Sequence, residues 1–308
     1  MGVVDTLLFL GICPAIYNTF RIYLVGNLPS TWAYSIAGQL AWVNLIYEVI
    51  NEALILPLYH FLNTSDDKAE SSWRIRSGLL ISIGIYALLA ILMIVFTEPL
   101  LRFMAVNVDI IQESASYIRI ESVANIFIMI SSFLTVALVS TGKDIFLYVF
   151  AFARLVLSLM TDYFFVSEHT FSLRLGINGI GWSNIVVNGI LALVAALMLQ
   201  RDGIAVFSAR CGSWKWLNTF CRKGALSGLE SLVRNLAYMV MIVRMVNVVS
   251  EQGTYWVANG FIWSWLLLPV LQLGELIKKE TAKQNYDCSI KALRKWFALT
   301  GASFLYGL

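Results

Sequence analysis

The sequence predicts an all-α polytopic membrane protein, and three observations carry that reading. Of its 308 residues 59% are apolar and only 13% charged, giving a mean hydropathy of +0.74. The apolar residues gather into runs of about 18–25, the length a helix needs to cross a bilayer. Basic residues also fall almost entirely in alternate connections between those runs, as the positive-inside rule requires of a membrane-spanning chain.

The runs predict eight spans near residues 3–25, 32–60, 77–97, 119–140, 145–166, 178–199, 225–248 and 255–277, with a ninth beginning near 292. The first has no basic n-region and no small-residue cleavage site, so it reads as a span rather than a cleaved signal peptide. The second is long enough to extend beyond the membrane. With the N-terminus inside, the inner connections carry Lys68, Arg74, Arg76, Lys143, Arg201, Arg210, Lys215, Arg222, Lys223 and the basic residues from Lys278 to Lys295, while the outer ones carry Arg102 and Arg174. This orientation explains the net charge of +3 without a nucleic-acid partner. It predicts a multi-pass plasma (inner) membrane protein with a cytoplasmic N-terminus.

The longest polar connection, Gln200–Gly224, reads as a cytoplasmic linker in which Trp214, Trp216 and Phe220 would anchor an interfacial helix at headgroup level. It divides the chain into residues 1–200 with six spans, a linker at 201–224, and a second part at 225–308 with two spans and the start of a third. An offset of 221 residues aligns Ala37 with Ala258, Trp42 with Trp263, Leu45 with Leu266 and Asn51 with Gln272. That offset matches two halves of six spans in the same orientation, a parallel repeat about an axis normal to the membrane.

Charges inside the spans are the main clue to function. Arg21, Glu48, Glu52, Arg154, Asp162, Glu230 and Arg234 interrupt otherwise apolar stretches. Each costs about 2.5–3.5 kcal/mol at the bilayer centre, so seven facing lipid would cost roughly 20 kcal/mol. They must face one another or water inside the bundle, which points to a transport pathway. The sequence has no GxxxxGK[ST], no His-based triad and no Cys–His cluster. Cys13, Cys211, Cys221 and Cys288 read as apolar fillers or reduced inner-loop thiols, and neither an enzyme nor a metal site is expected. GINGIG at Gly176–Gly181 opens the sixth span and reads as a tight turn.

Several segments resemble the MATE (multidrug and toxic compound extrusion) transporters, cation-coupled extruders of the MOP flippase superfamily. Gly224–Glu280 resembles that family's seventh and eighth helices, Asn18–Leu28 (NTFRIYLVGNL) the end of its first, and Val139–Tyr148 (VSTGKDIFLY) its turn between helices 4 and 5. Leu157–Phe165 (LSLMTDYFF) followed by Gly176–Val186 (GINGIGWSNIV) resembles its helix 5–6 region. The resemblance implies a six-helix N-lobe, a cytoplasmic linker and a partial parallel-repeat C-lobe, since the family has twelve helices and this sequence reaches only the ninth, apparently lacking the last three. It also implies a small organic substrate, a transported Na⁺ or H⁺ in place of any cofactor, and a monomer in the bilayer.

Site residues follow by position. The family places an Asn and an Asp one turn apart on helix 5, where they take part in cation or proton coupling. Ser158 and Asp162 match that pair. Where the family commonly has an acidic residue on helix 1, this chain has Arg21. Its depth matches that of Asp162, so a structural salt bridge and a site where substrate or ion competes for the carboxylate both stand. Glu48 and Glu52 lie one turn apart around Asn51, and two close carboxylates in low dielectric cannot both ionise cheaply, which suits a proton relay. Arg154 is their expected partner if they are structural. Glu230 and Arg234 at i, i+4 suggest an intrahelical salt bridge. Asn259 and Gln272 would line the cavity or join helices, and Trp256, Trp263 and Trp265 would either stack on a flat cation or pack.

Three functions follow: a cation-coupled (Na⁺ or H⁺) efflux antiporter for organic, cationic compounds working by alternating access; a flippase for an anionic or lipid-linked substrate, which the arginines would suit; or a truncated, non-transporting remnant.

Overall fold

A computed structural model describes residues 3–62, 68–140, 145–204 and 214–271. Every described element is helical. In order they are α1 (Val3–Gly26), α2 (Ala33–Gly38), α3 (Leu40–Leu62), α4 (Lys68–Phe103), α5 (Ile111–Ser140), α6 (Ile145–Val166), α7 (Asn178–Arg201), α8 (Lys215–Tyr238), α9 (Arg244–Val248) and α10 (Gln252–Phe261). A 3₁₀ turn at Val108–Ile110 leads into α5, and π-helical turns at Met239–Val243 and Ile262–Leu266 follow α8 and α10.

Five of the helical segments are long and apolar enough to cross a membrane: Glu70–Phe103, Val108–Val139, Ile145–Val166, Asn178–Arg201 and Trp216–Val248. The chain is a multi-pass membrane protein. Their boundaries refine the expected spans. The second predicted span is broken at Gln39 into α2 and α3, the third lies inside a helix of 36 residues, and the seventh contains a π turn. The ninth span and Cys211, Cys288 and Gln272 lie outside the described residues.

The residues form two compact units, one from the chain up to Ile22 and from Val257 onward, the other from Tyr23 to Trp256. In the larger unit α5 is central, packed against α7, α4, α3 and α6, while α8 runs along α3. Small residues make these approaches possible: Ser114, Ala115, Ser122, Ala124, Ser131 and Ala137 on α5 are all fully buried. Without a hydrophobic drive between helices in lipid, such close backbone packing is what holds spans together. On α7, Gly179 and Gly181 meet α6 and α5; a Cβ there would lie 2.8 Å from the Phe165 carbonyl oxygen and 2.6 Å from Ile120 Cγ2. That helix ends at Gly203 (φ +83°), with Ile204 N–H donating to the Leu199 carbonyl at 3.0 Å. Glycine takes the left-handed conformation such a helix end needs.

α8 begins at Lys215, inside the stretch read as linker, and Trp216 and Phe220 are buried against the protein. Both Trp216 and the Phe133 ring approach Gly78 on α4. Trp214 stays exposed and meets Trp73 edge-on at 5.1 Å.

Candidate functional site

Asp162 and Ser158 lie on one buried face of α6, one turn apart as their spacing predicts, and Asp162 is 0% exposed. Next to Asp162, Thr161 Oγ1 shares a hydrogen bond of 2.6 Å with Ser183 Oγ on α7. The neighbouring α7 residue, Asn184, turns the other way. Its Nδ2 donates to both carboxylate oxygens of Glu121 on α5, at 2.8 and 3.1 Å. One turn further, Asn188 Nδ2 donates to the Asn184 carbonyl at 2.8 Å, and its Oδ1 accepts from Arg154 Nη2 at 3.1 Å. Arg154 Nη2 also donates to Ser131 Oγ at 3.2 Å.

A polar strip thus runs between α5, α6 and α7 from Glu121 to Arg154, and Asp162 and Ser158 lie buried on α6, the helix that contributes Arg154 to it. A charge taken into an apolar bundle is retained only where donors and acceptors meet it. Here the Glu121 carboxylate and the Arg154 guanidinium are held among neutral amides and hydroxyls. Such groups can bind and release a small cation or proton while their neighbours keep the site polar.

Glu121, 1% exposed, is absent from the sequence-derived candidates. The signal was available: Glu121 and Asn125 stand at i, i+4 within the fourth predicted span, and both are buried on the same side. Asn184, Asn188 and Ser183 on α7 carry the complementary pattern.

The second charged group sits between α3 and α8. Arg234 Nη2 lies 3.1 Å from Glu52 Oε1 and 3.9 Å from Glu48 Oε1. This corrects two expectations. Arg234 pairs across helices with the α3 glutamates instead of along α8 with Glu230, and it fills the place expected of Arg154, which sits with Ser131 and Asn188. The reason is the helix packing: Gly228 lets α8 approach so closely that a Cβ there would be 2.9 Å from Ala53 Cβ, bringing Arg234 over the α3 surface. Next to Arg234, Asn235 is buried and donates to the Leu45 carbonyl at 3.4 Å and to Ser231 Oγ at 3.3 Å. Asn51 and Glu230 are exposed.

In the smaller unit, the Arg21 guanidinium lies 4.7 Å from the Tyr17 ring centroid and Nη1 reaches Tyr17 Oη at 3.4 Å. Asn18 Nδ2 donates to Ser264 Oγ at 3.3 Å and Trp265 Nε1 to Thr19 Oγ1 at 2.8 Å. These four residues join α1 to the π turn after α10, and of them the sequence had singled out Trp265 alone. Its indole N–H is committed to Thr19, which favours the packing role. Asn259 is half-buried in the same unit. Among the described residues there is no group of three or more His, Cys, Asp or Glu side chains able to hold a metal ion.

Residues 68–164 match the MatE family model, a segment that holds Glu121, Arg154, Ser158 and Asp162. No curated protein matches the chain significantly. Among solved structures, the chain is similar to a multidrug resistance MATE family transporter of the MOP superfamily in an inward-facing conformation, at 15% identity and a TM-score of 0.72, over 94% of this chain and 69% of that one. It is similar to a MATE in a straight conformation at 16% identity and 0.65, over 98% and 67% of the two chains. An outward-facing multidrug resistance MATE transporter aligns at 13% identity and 0.62, over 97% and 77%. The chain carries a MatE segment at residues 68–164 and has the fold of the MATE transporters.

Proposed function

We propose that this protein is an efflux carrier for small organic, cationic compounds, driven by Na⁺ or H⁺ and working by alternating access. The observation that carries the reading is Asp162, fully buried on α6 with Ser158 one turn away in a MATE fold. In this reading Asp162 takes the driving ion, Ser158 offers a hydroxyl ligand, and Glu121 supplies a second carboxylate on the adjoining helix. Carboxylate and hydroxyl oxygens suit Na⁺ as well as a proton. The pairing of Arg234 with Glu52 and Glu48 supports efflux over an anionic-substrate flippase, because that arginine's charge is met by carboxylates of α3. We place the N-terminus, and with it the short inner turn before α6, on the cytoplasmic side.

The test is uptake of an organic cation into proteoliposomes under a Na⁺ gradient and, separately, a pH gradient, for the wild-type chain and Asp162→Asn. Gradient-driven transport that the substitution abolishes at normal expression supports the reading. Full transport by Asp162→Asn would make Asp162 structural and move the coupling role to Glu121 or to Glu48 and Glu52.

A further inference from the structure

One end of the larger unit is closed by neutral amides. Gln39, at the break between α2 and α3, and Asn247, on α9, are buried and pair reciprocally: Gln39 Nε2 donates to Asn247 Oδ1 at 2.9 Å, and Asn247 Nδ2 to Gln39 Oε1 at 3.3 Å. Asn247 Nδ2 also donates to the Met104 carbonyl, just past α4, at 2.9 Å. Gln252, opening α10, donates to the Gly38 carbonyl at 2.7 Å. Arg244 Nε donates to the Phe103 carbonyl at 2.8 Å. Every one of these bonds ties the α9–α10 corner to the α2–α3 break or to the end of α4.

The closure is incomplete. Gln252 is 2% exposed, yet its Oε1 has no hydrogen-bond partner. Gln252 lines, with Gln39, Asn247, Asn107 and Ser250, a cavity of about 10 Å³. That is the room one water needs. Water therefore has an entry point at the centre of the cluster.

Below the cluster the attachment is of another kind. α8 is held to α3 by the Gly228–Ala53 backbone approach, the Arg234–Glu52 pair and Asn235 on the Leu45 carbonyl. Between this anchored stretch and α9 lies the π turn Met239–Val243. Such turns widen the helix, weaken its hydrogen-bond ladder and occur frequently at functional sites.

We propose that Gln39, Asn247 and Gln252 form the outer latch of the transport cycle, released by water, and that α9 swings on the π turn Met239–Val243 while α8 stays on α3. The latch rests on the alternating-access reading above for its role and on the inside N-terminus for its side. Neutral amide bonds suit a latch, since each exchanged for water shifts an equilibrium by only a few-fold to about tenfold. The Gly228–Ala53 contact has no hydrogen bond to exchange and stays shut.

The experiment uses the full chain in liposomes, with Cys13, Cys211, Cys221 and Cys288 replaced by serine and spin labels on two cysteine pairs. Val108→Cys with Val249→Cys, both exposed, reports the latch; Asn44→Cys with Leu236→Cys, also exposed, reports the α3–α8 anchor. The expected result is a short and a longer distance for the outer pair. Asn247→Ala, which removes three hydrogen bonds, should raise the ratio of long to short by about tenfold or more, and Gln252→Ala, which removes one, by a few-fold. The anchor pair should keep one distance throughout. A single outer distance unmoved by both substitutions, or an anchor pair that lengthens with the outer one, overturns the proposal. A latch that opens in a chain with no gradient-driven transport would leave the latch standing and remove the efflux reading.

Discussion

The Asn184 amide donates to both carboxylate oxygens of the buried Glu121, at 2.8 and 3.1 Å, and so ties α7 to α5. Glu121→Gln keeps the shape but removes the charge and turns one acceptor into a donor facing Asn184. If the carboxylate serves transport, gradient-driven efflux falls at least tenfold while the protein stays folded. Glu121→Leu instead strands the Asn184 donor and should cost about 1–3 kcal/mol of stability. Proteoliposome efflux and thermal unfolding in detergent, measured on both variants, separate these effects. A fully active Glu121→Gln would reduce Glu121 to a helix tie.

Arg234 offers a test of partner choice. Its guanidinium is 3.1 Å from Glu52 and 3.9 Å from Glu48, with all three side chains partly exposed. A double-mutant cycle of Arg234→Ala with Glu52→Ala should show coupling of about 0.5–1 kcal/mol, less with Glu48→Ala, and none with Glu230→Ala. Coupling to Glu230 alone would restore the intrahelical pair that the i, i+4 spacing suggests.

These two sites show what a sequence can and cannot disclose. Asp162 was legible as a charge within a span and Ser158 through the family resemblance, and the regular helix α6 puts these i and i+4 residues on one face. Arg234 was legible as a charge within a span, but its partner was not: Glu52 stands 182 residues away, and Glu230 competes for it in any local reading. Glu121 was passed over because it stands near the start of the fourth predicted span beside Arg119 and Ser122, where a charge reads as a span end and not as a site. The π turn at Met239–Val243 leaves no trace at all in a uniformly apolar MVMIV, since the extra residue per turn is imposed by tertiary fit. The five membrane-length helices among the described residues lie where hydropathy placed spans, whereas the break at Gln39 sits beside Gly38 and amide contacts with Asn247 and Gln252.

Trp216 separates two roles that composition leaves equal. It is 7% exposed at the start of α8, whereas Trp214 is 52% exposed two residues earlier. Trp216→Ala should therefore destabilise the protein by about 3–5 kcal/mol, the range for a large aromatic lost from a core. Trp214→Ala should cost less than about 1 kcal/mol. Equal and small losses for both, with weakened liposome association, would return Trp216 to the lipid interface.

Gly181 sets how closely α7 can lie on α5, and so whether Asn184 reaches Glu121. A Cβ at this position would stand 2.6 Å from Ile120 Cγ2 and 3.6 Å from the Glu121 backbone nitrogen. The Ile120 methyl is close to its backbone and cannot swing clear, so the helices must part. Gly181→Ala should cost about 1–3 kcal/mol, as overpacking does, and should lower transport along with stability. Ile120→Ala removes the obstructing methyl. In the double variant the steric loss should largely disappear, so that Gly181→Ala costs less in the Ile120→Ala background than alone. Equal costs in the two backgrounds would mean that the approach of α7 to α5 is set elsewhere. If stability is rescued but transport is not, the spacing between Asn184 and Glu121 matters to function beyond its part in packing.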